Sequence, residues 1–239
     1  MRLAGLTDIG RVRETNEDSF CLERLDEGRD VWLLAVADGL GGCNAGEVAS
    51  QLAIGTLREQ IRASDGSWSR DLASAIQTAH RRIADRAATD GGLAGMGTTL
   101  TAVVTEGRQL YWGHVGDSRA YLLRGGELAL LTRDHSVVGA LLADGWIGEE
   151  AARQHPQRNV LTQALGFPGE LQVETGSTTL APGEWLLVTT DGLTAVAEGP
   201  DLVLQARDAP EPLVLCQRLV ALANRRGGPD NITVLAAQA

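Results

Sequence analysis

Short apolar runs that end at turn residues dominate the hydrophobic pattern of this chain and predict many β-strands. Two continuous runs, "VWLLAVA" before Asp38 and "EWLLVTT" before Asp191, predict strands that are buried on both faces. Turns as short as "EGR" and "GG" predict that the strands they join are antiparallel neighbours. The other predicted strands are 98–105, 109–116, 119–124, 127–132 and "NITVLAA" near the C-terminus.

Three longer segments, 45–62, 68–89 and 210–226, have the apolar spacing of amphipathic helices. The segment 133–169 fits neither pattern, and we interpret it as a partly irregular excursion of the kind that often carries function. No linker or repeat divides the chain, so we expect a single domain over 1–239. Runs of strands with long helices on either side predict an α+β domain in which helices cover antiparallel sheet, in one sheet or two.

Composition and charge exclude several classes of function. The 239 residues are 44% hydrophobic and 22% charged, as in an average globular protein. A formal net charge of −10 disfavours nucleic acid and anionic lipid as partners, because an acidic surface repels both. Three separated cysteines without a CxxC pair argue against disulfides and zinc. Neither a signal-peptide core nor a membrane-spanning run is evident, so we expect a cytoplasmic protein.

The glycine-rich stretch "VADGLGG" follows a predicted buried strand, where many proteins bind a phosphate. Neither nucleotide-binding pattern fits, since GxGxxG would need glycine at Asn44 and the P-loop would need lysine at Glu47. The aspartate of this stretch is the better functional candidate. Asp38 lies at the end of a buried strand, and Gly39 lets the backbone approach whatever the carboxylate binds.

The combination of a strand edge and a carboxylate recurs along the chain. One such aspartate would be an ordinary turn residue, but several repel one another unless a divalent cation binds between them. Oxygen donors favour Mg²⁺ or Mn²⁺ over zinc, and two such ions could activate a bridging water for displacement at phosphorus. Arg13 is the candidate for holding the phosphate, because a guanidinium can bind two oxygens at once. The recurrent positions are Asp117, Asp191, Asp230 with Asn231, and Glu17 with Asp18 in "NED".

Together these residues resemble the metal-dependent type 2C family of protein serine/threonine phosphatases, in its bacterial form. The matching motifs occur in the family's order and span nearly the whole chain. They are "RETNEDS", "VADGLGG" with "GEVAS", "GTTLTA", "GDSRAY", "RDHS", "RNVLTQALG", "TTDGL" and "PDNITV". The resemblance implies an αββα sandwich of two antiparallel sheets flanked by helices, and hydrolysis of phosphoserine and phosphothreonine in proteins.

The resemblance also implies a set of metal ligands for Mn²⁺ or Mg²⁺. Asp38 would bridge two core ions, and Asp191 and Asp230 would complete the first site. The carbonyl of Gly39 would bind the second ion. Asp117, together with Asp191, would hold a third and weaker ion.

Other roles follow from the same resemblance. Arg13 would bind the phosphate and is expected to be catalytic together with Asp38 and Asp191. Glu17 and Asp18 would lie near the second ion through water, and Asn231 would support a metal-bound water. The segment 133–169 would be a mobile flap beside the site that tunes substrate choice.

Two positions depart from the family pattern. Leu40 stands where many eukaryotic members have a histidine that is thought to protonate the leaving group, and Cys43 stands where many bacterial members have one. These departures leave the general acid open and support an alternative, a metal-binding pseudophosphatase that recognises a phosphoprotein or a kinase without turnover. A third interpretation is a phosphatase for small metabolites. We expect a monomer whose partners are phosphorylated proteins, namely targets of a serine/threonine kinase and the kinase itself.

Overall fold

Two antiparallel β-sheets contain most of the regular structure. The computed structural model of the chain describes residues 1–41 and 45–239. The strands are β1 (Arg2–Asp8), β2 (Asp18–Asp26), β3 (Val31–Leu40), β4 (Gly97–Thr98), β5 (Leu100–Glu106), β6 (Gln109–Val115), β7 (Arg119–Arg124), β8 (Glu127–Leu130), β9 (Glu174–Thr179), β10 (Trp185–Thr189) and β11 (Ile232–Gln238). The helices are α1 (Ala45–Arg62), α2 (Trp68–Thr89), α3 (Val137–Ala143), α4 (Glu149–Arg153), α5 (Asp191–Thr194), α6 (Gly199–Arg207) and α7 (Pro212–Arg225).

Each sheet brings together strands from distant parts of the sequence. The five-stranded sheet has the order β1, β11, β10, β7 and β8. The six-stranded sheet has the order β2, β3, β5, β6 and β9, with β4 paired to β3. All of these pairs are antiparallel.

Three apolar layers hold the sheets and helices together. Helices α1 and α2 pack on the six-stranded sheet, where Leu57 of α1 and Leu33 of β3 belong to one buried cluster. Helices α6 and α7 cover the five-stranded sheet in the same way, through residues such as Leu219. A third cluster lies between the sheets and includes Leu34, Val36, Val103, Leu122, Leu186, Val188 and Leu235. This order of layers is the αββα sandwich that the family resemblance implies.

The three long helices agree with their apolar spacing. Helices α1 and α2 begin and end where the sequence predicts. Helix α7 begins at Pro212, slightly after the predicted start, because proline suits the first turn and lacks the N–H that a helix interior requires. Among the described residues, none of the helices is both long and apolar enough to cross a membrane.

The predicted strands are present, but two details of their arrangement differ. The run 98–105 is interrupted at Thr99, so β4 and β5 are separate strands. The runs 109–116 and 119–124 are not neighbours, because the chain crosses from the six-stranded to the five-stranded sheet between β6 and β7. Asp117 lies in that crossover. The short connection therefore joins the two sheets instead of forming a hairpin.

Elements with weak apolar patterns were not predicted. Strand β9 is an edge strand with the polar sequence "ETGSTT", and its residues alternate between half-buried and exposed. Helix α5 has only four residues, which is too short for a periodic pattern. Strand β1 ("RLAGLTD") and helix α6 ("GPDLVLQAR") are also too short to give a distinct apolar period.

The segment 133–169 contains α3 and α4, and both of its ends are bonded to the sheets. Near its start, the N–H of His135 donates to the carbonyl of Gly116 (2.6 Å). Near its end, Leu165 exchanges two backbone hydrogen bonds with Thr98 (2.9 and 3.1 Å). The segment is thus anchored beside β4 and beside the crossover between β6 and β7.

Candidate metal centre

Asp38 is fixed by its backbone near the end of β3. The strand continues beyond it to Leu40, further than the sequence pattern indicates. The Asp38 N–H donates to the hydroxyl of Thr99 (3.0 Å). Its carbonyl accepts from the Thr99 N–H (2.9 Å) and from the Thr98 hydroxyl (2.8 Å). On the neighbouring strand its partner is Asp18, so two carboxylates face each other across β2 and β3.

Asp191 is the first residue of α5, directly after β10, and brings a carboxylate to Asp38. Each of the two carboxyl groups affects the pKa of the other. Burial, followed by the charge of Asp191, raises the pKa of Asp38 well above its ordinary value. Burial, followed by the charge of Asp230, also raises the pKa of Asp191. In the described part of the chain, Oδ1 of Asp191 is buried without a hydrogen-bond partner.

Asp18 is almost completely buried, with 8% of its surface exposed. Its Oδ2 accepts hydrogen bonds from the hydroxyls of Thr190 (2.8 Å) and Thr233 (2.6 Å). Its Oδ1 is buried and has no partner among residues 1–41 and 45–239. Burial raises the pKa of Asp18 to about 7; the carboxylates of Asp191 and Asp230 add to the effect, and the two hydroxyls oppose it.

Asp117 reaches the same region from the crossover between the sheets. Gly116 before it has φ of +114°, and a Cβ there would lie 2.6 Å from the Cβ of Thr99. Only glycine therefore lets the crossover pass so close to the end of β4. Burial, followed by the charge of Asp191, raises the pKa of Asp117 to about 7. The structure thus brings together three predicted ligands that are far apart in sequence.

Arg13, the predicted phosphate-binding residue, contacts a predicted metal ligand. Its Nη2 donates to Oδ2 of Asp230 at 2.6 Å. The two side chains are 52% and 30% exposed, so this ion pair lies at the rim of the site. The hydrogen bond to Asp230 raises the pKa of Arg13, and the charges of Asp38 and Glu17 act in the same direction.

Asn231 holds the loop that carries Glu17. Its side-chain NH₂ donates to the carbonyls of Ile9 (3.0 Å) and Thr15 (2.9 Å), and its oxygen accepts from the Glu17 N–H (2.9 Å). The amide is 5% exposed and engaged by backbone groups, so it positions the loop. Its predicted support of a metal-bound water stays a prediction. Burial raises the pKa of the Glu17 carboxyl, which lies in the same region.

Gly39 is required by close packing of the backbone. A Cβ at this position would overlap the carbonyl oxygens of Gly46 and Glu17. The glycine therefore allows β3, the Glu17 loop and the start of α1 to meet. The predicted ligation through its carbonyl stays a prediction.

Asp18, Asp38, Asp117 and Asp191 form a carboxylate cluster that fits divalent cations. Buried carboxylates with raised pKa values and two buried oxygens without partners are unfavourable as free anions, and cations would offset both costs. The donors are the hard oxygens that Mg²⁺ and Mn²⁺ prefer. A cleft of about 1480 Å³ opens beside the cluster, between α6 and the segment 133–169.

Comparison with known proteins gives the family. The sequence pattern of the Protein phosphatase 2C family matches residues 11–219. The chain belongs to this family. The serine/threonine protein phosphatase PstP of Mycobacterium tuberculosis is 39% identical over 99% of this chain, which spans 45% of that protein. The serine/threonine phosphatase stp of Listeria welshimeri is 36% identical over 96% of this chain and 92% of its own length.

A solved structure of a similar 2C phosphatase contains metal ions. The catalytic domain of PstP in complex with two manganese ions matches this chain with a TM-score of 0.87 and 37% identity, covering 99% of this chain and 97% of that one. The predicted family, fold, class of activity and metal dependence are confirmed by these similarities. The roles assigned to individual residues stay predictions.

Of the two departures from the family pattern in this 2C phosphatase, the structure describes one. Leu40 is half-buried at the end of β3. Cys43 lies outside the described residues. The general acid therefore stays open.

Three other side chains of this phosphatase approach one another within 4.8 Å, namely His114, His135 and Glu174. His114 is fully buried, and its two ring nitrogens contact the Thr101 hydroxyl (2.7 Å) and the Arg133 carbonyl (3.1 Å). Burial lowers the pKa of His114 to about 3, so this imidazole is neutral. Since both nitrogens already have partners, we interpret His114 as part of a hydrogen-bond network.

Sequence analysis missed the hydroxyl groups that orient the ligands of this phosphatase. Thr190 and Thr233 hold Asp18, and Thr99 holds the backbone of Asp38. A usable signal is present, because these threonines interrupt otherwise apolar runs, "WLLVTT", "NITV" and "TTLTAVV". A buried polar side chain requires a hydrogen-bond partner, and here the partners are Asp18 and Asp38 of the predicted site.

Proposed function

We propose that this phosphatase hydrolyses phosphoserine and phosphothreonine in proteins with Mn²⁺ or Mg²⁺ held by the carboxylate cluster. The observation that carries the proposal is the convergence of Asp38, Asp117 and Asp191 beside Asp18. Within the described residues, two oxygens of these groups are buried without partners. Without bound cations, the free-energy cost of burying these carboxylates would not be offset.

In this proposal each ligand has a definite place. Asp38 would bind both core ions, Asp191 and Asp230 the first, and the carbonyl of Gly39 the second. Asp117, with Asp191, would bind a third ion. When bound, the cations supply the Lewis acidity and positive charge that hydrolysis of a phosphate ester requires. Mutual repulsion of the carboxylates is the physical reason why several cations would be accommodated.

The protein's own groups bind and orient the phosphate. Arg13 lies at the rim of the cluster and uses one nitrogen for Asp230, and its planar guanidinium can offer further N–H groups to two phosphate oxygens. Its positive charge also favours an anionic substrate in this region. The charges of Asp38 and Glu17 are near enough to raise the pKa of Arg13. Asn231 keeps Glu17 in place through its backbone.

The cleft favours a protein substrate over a small metabolite. Its volume of about 1480 Å³ exceeds the roughly 300–1,000 Å³ of sites that enclose small molecules. The wall formed by α6 and the segment 133–169 combines apolar and cationic side chains, among them Val138, Leu204, Arg153 and Arg158. We propose that the segment 133–169 is the flap that contacts the residues around the phosphorylated side chain and so selects the substrate.

The cellular context is also part of the proposal. We expect residues 1–239 to act as one catalytic domain and as a cytoplasmic monomer. Pairing of β1 with β11 along seven residues, which joins the two ends of the chain, supports one domain. The expected substrates are targets of a serine/threonine kinase and that kinase itself.

The decisive experiment compares phosphate release from p-nitrophenyl phosphate, phosphoserine peptides and sugar phosphates, with Mn²⁺ and with chelator. We expect release that depends on Mn²⁺ and favours the peptides over the sugar phosphates. Asp38→Ala and Asp191→Ala should each nearly abolish it. Mn²⁺ binding without turnover would favour the pseudophosphatase, and full activity of both variants would refute the metal assignment.

A further inference from the structure

A buried polar network connects the backbones that carry Asp38 and Asp117. It consists of Thr99, Thr101, His114 and Ser118, all with 0% exposure. The hydroxyl of Thr99 accepts from the Asp38 N–H (3.0 Å) and contacts the hydroxyl of Ser118 (2.8 Å). Ser118 follows Asp117 directly. Two ligands from different elements are therefore joined through one pair of hydroxyls.

The polar network continues to the start of the segment 133–169. Thr101 lies 3.2 Å from the carbonyl of Ser118 and 2.7 Å from Nδ1 of His114. On the other side of the ring, Nε2 lies 3.1 Å from the carbonyl of Arg133. Because a carbonyl can only accept, Nε2 carries the proton and Nδ1 accepts from the Thr101 hydroxyl. The single proton of that hydroxyl reaches the Ser118 carbonyl only as the longer branch of a bifurcated hydrogen bond. The imidazole thus joins β5 to the first residue of the segment.

The same region carries a second contact of that segment with the crossover. His135 bonds Gly116 on both sides, since its N–H donates to the Gly116 carbonyl (2.6 Å) and its Nδ1 accepts from the Gly116 N–H (3.3 Å). Any shift of the segment's start would therefore move the residue next to Asp117. A network whose members are buried and bonded specifies one arrangement of the backbone.

We propose that Thr101 and His114 are positioning residues, which hold the Asp117 crossover, the Asp38 strand and the start of the segment 133–169 in one fixed geometry. This inference rests on the proposed function, because it assigns the two residues an effect on metal binding through Asp38 and Asp117. Both positioning residues are fully buried, and both ring nitrogens of His114 already have protein partners. Loss of groups that orient metal ligands typically costs about 10-fold to 100-fold in metal affinity or activity.

The chain offers a matched control on the same strand. Thr105 is also a fully buried threonine of β5, but its hydroxyl has no hydrogen-bond partner in the described residues. Thr101→Val and Thr105→Val therefore remove the same atoms from equally buried sites. Only the first removes a member of the polar network. Thr101→Ser keeps the hydroxyl and tests for rescue.

The experiment measures direct Mn²⁺ binding by calorimetry, together with kcat and KM for p-nitrophenyl phosphate as functions of Mn²⁺ concentration. All variants are compared well below their melting temperatures. We expect Thr101→Val to weaken Mn²⁺ binding about tenfold or more, Thr101→Ser to recover most of it, and Thr105→Val to match the wild type. Equal Mn²⁺ titrations for Thr101→Val and Thr105→Val would overturn the inference.

A second variant covers the case in which Thr101→Val does not fold. Ser118→Ala removes only the hydroxyl that contacts Thr99 and introduces no bulk. It should weaken Mn²⁺ binding in the same direction. Because Thr101 contacts the Ser118 carbonyl and not this hydroxyl, His114→Gln is measured beside it, and unchanged Mn²⁺ binding in His114→Gln would overturn the inference. A wild type that binds Mn²⁺ but releases no phosphate would refute the proposed activity alone, because the binding comparison still decides the role of the network.

Discussion

Replacement of Asp18 by asparagine tests whether the carboxylate cluster destabilises the metal-free fold. Asp18 is nearly buried and accepts two hydroxyl hydrogen bonds on one oxygen, while the other oxygen has no hydrogen-bond partner among the described residues. Asparagine has the same shape without the charge. We expect Asp18→Asn to gain stability relative to the wild type as the pH rises, when chelator removes all metal.

The magnitude follows from the pKa of Asp18, which is about 7 in the fold against an ordinary value of 3.8. Because the folded state holds this proton more tightly, the group's contribution to stability is fully present below about pH 4 and is lost as the pH rises towards 7. Between about pH 5 and pH 8 the wild type should lose about 2 to 3 kcal/mol from this group, and the variant should not. Any fixed cost of burying the amide NH₂ cancels in the difference between the two pH values.

The assay is urea unfolding of the wild type and Asp18→Asn in chelator, at several values between about pH 5 and pH 8. Asp144→Asn, which removes an exposed carboxylate at the end of α3, is the matched control. A difference between wild type and Asp18→Asn that stays constant over this range would refute the argument. With saturating Mn²⁺ the wild type should become more stable relative to Asp18→Asn, because the bound cation stabilises the wild type more than the variant.

Three further predictions concern groups around the cluster. Arg13→Ala should raise KM for a phosphopeptide about tenfold, the scale of a lost charged hydrogen bond, and unchanged kcat and KM would remove Arg13 from the site. Asn231→Ala should lower the free energy of unfolding by about 2 to 3 kcal/mol, because three hydrogen bonds to the backbone are lost, as denaturant titration would measure. Mn²⁺ should raise the melting temperature of the wild type in a concentration-dependent and chelator-reversible way, with about 2.7 kcal/mol expected at a hundredfold excess over Kd.

The periodicity of apolar residues predicted the helices and strands that are buried on one face or on both faces. The spacing from Leu72 to Ile83 specifies the buried face of α2, and the continuous run in β3 specifies a strand in the middle of a sheet. Strand β9 lies at an edge and is half-exposed, so its sequence carries no such pattern. The crossover between β6 and β7 could not be predicted either, because a connection of three residues can form a hairpin or join two sheets.

Sequence analysis predicted which carboxylates form the site, but not the hydroxyl groups that hold them. Asp38, Asp117 and Asp191 were recognisable as carboxylates at strand edges, and the family motifs placed them together. Their actual approach depends on the order of strands in both sheets, which local spacing does not determine. The hydroxyls of Thr190 and Thr233 were missed, because a threonine in or directly after a strand is ordinary until its partner is known.

The types of hydrogen-bond donor around the cluster explain which aspartates are available to a cation. Asp134 accepts two hydrogen bonds from the guanidinium of Arg119 (2.8 and 2.6 Å), so its charge is already neutralised. Asp18 is instead held by neutral hydroxyls, which orient a carboxylate but leave its charge uncompensated. Arg13, which pairs with Asp230, lies at the exposed rim, where a phosphate could compete for it. Among the described residues, no arginine donates a hydrogen bond to the carboxylates of the cluster, which leaves their charge for metal ions.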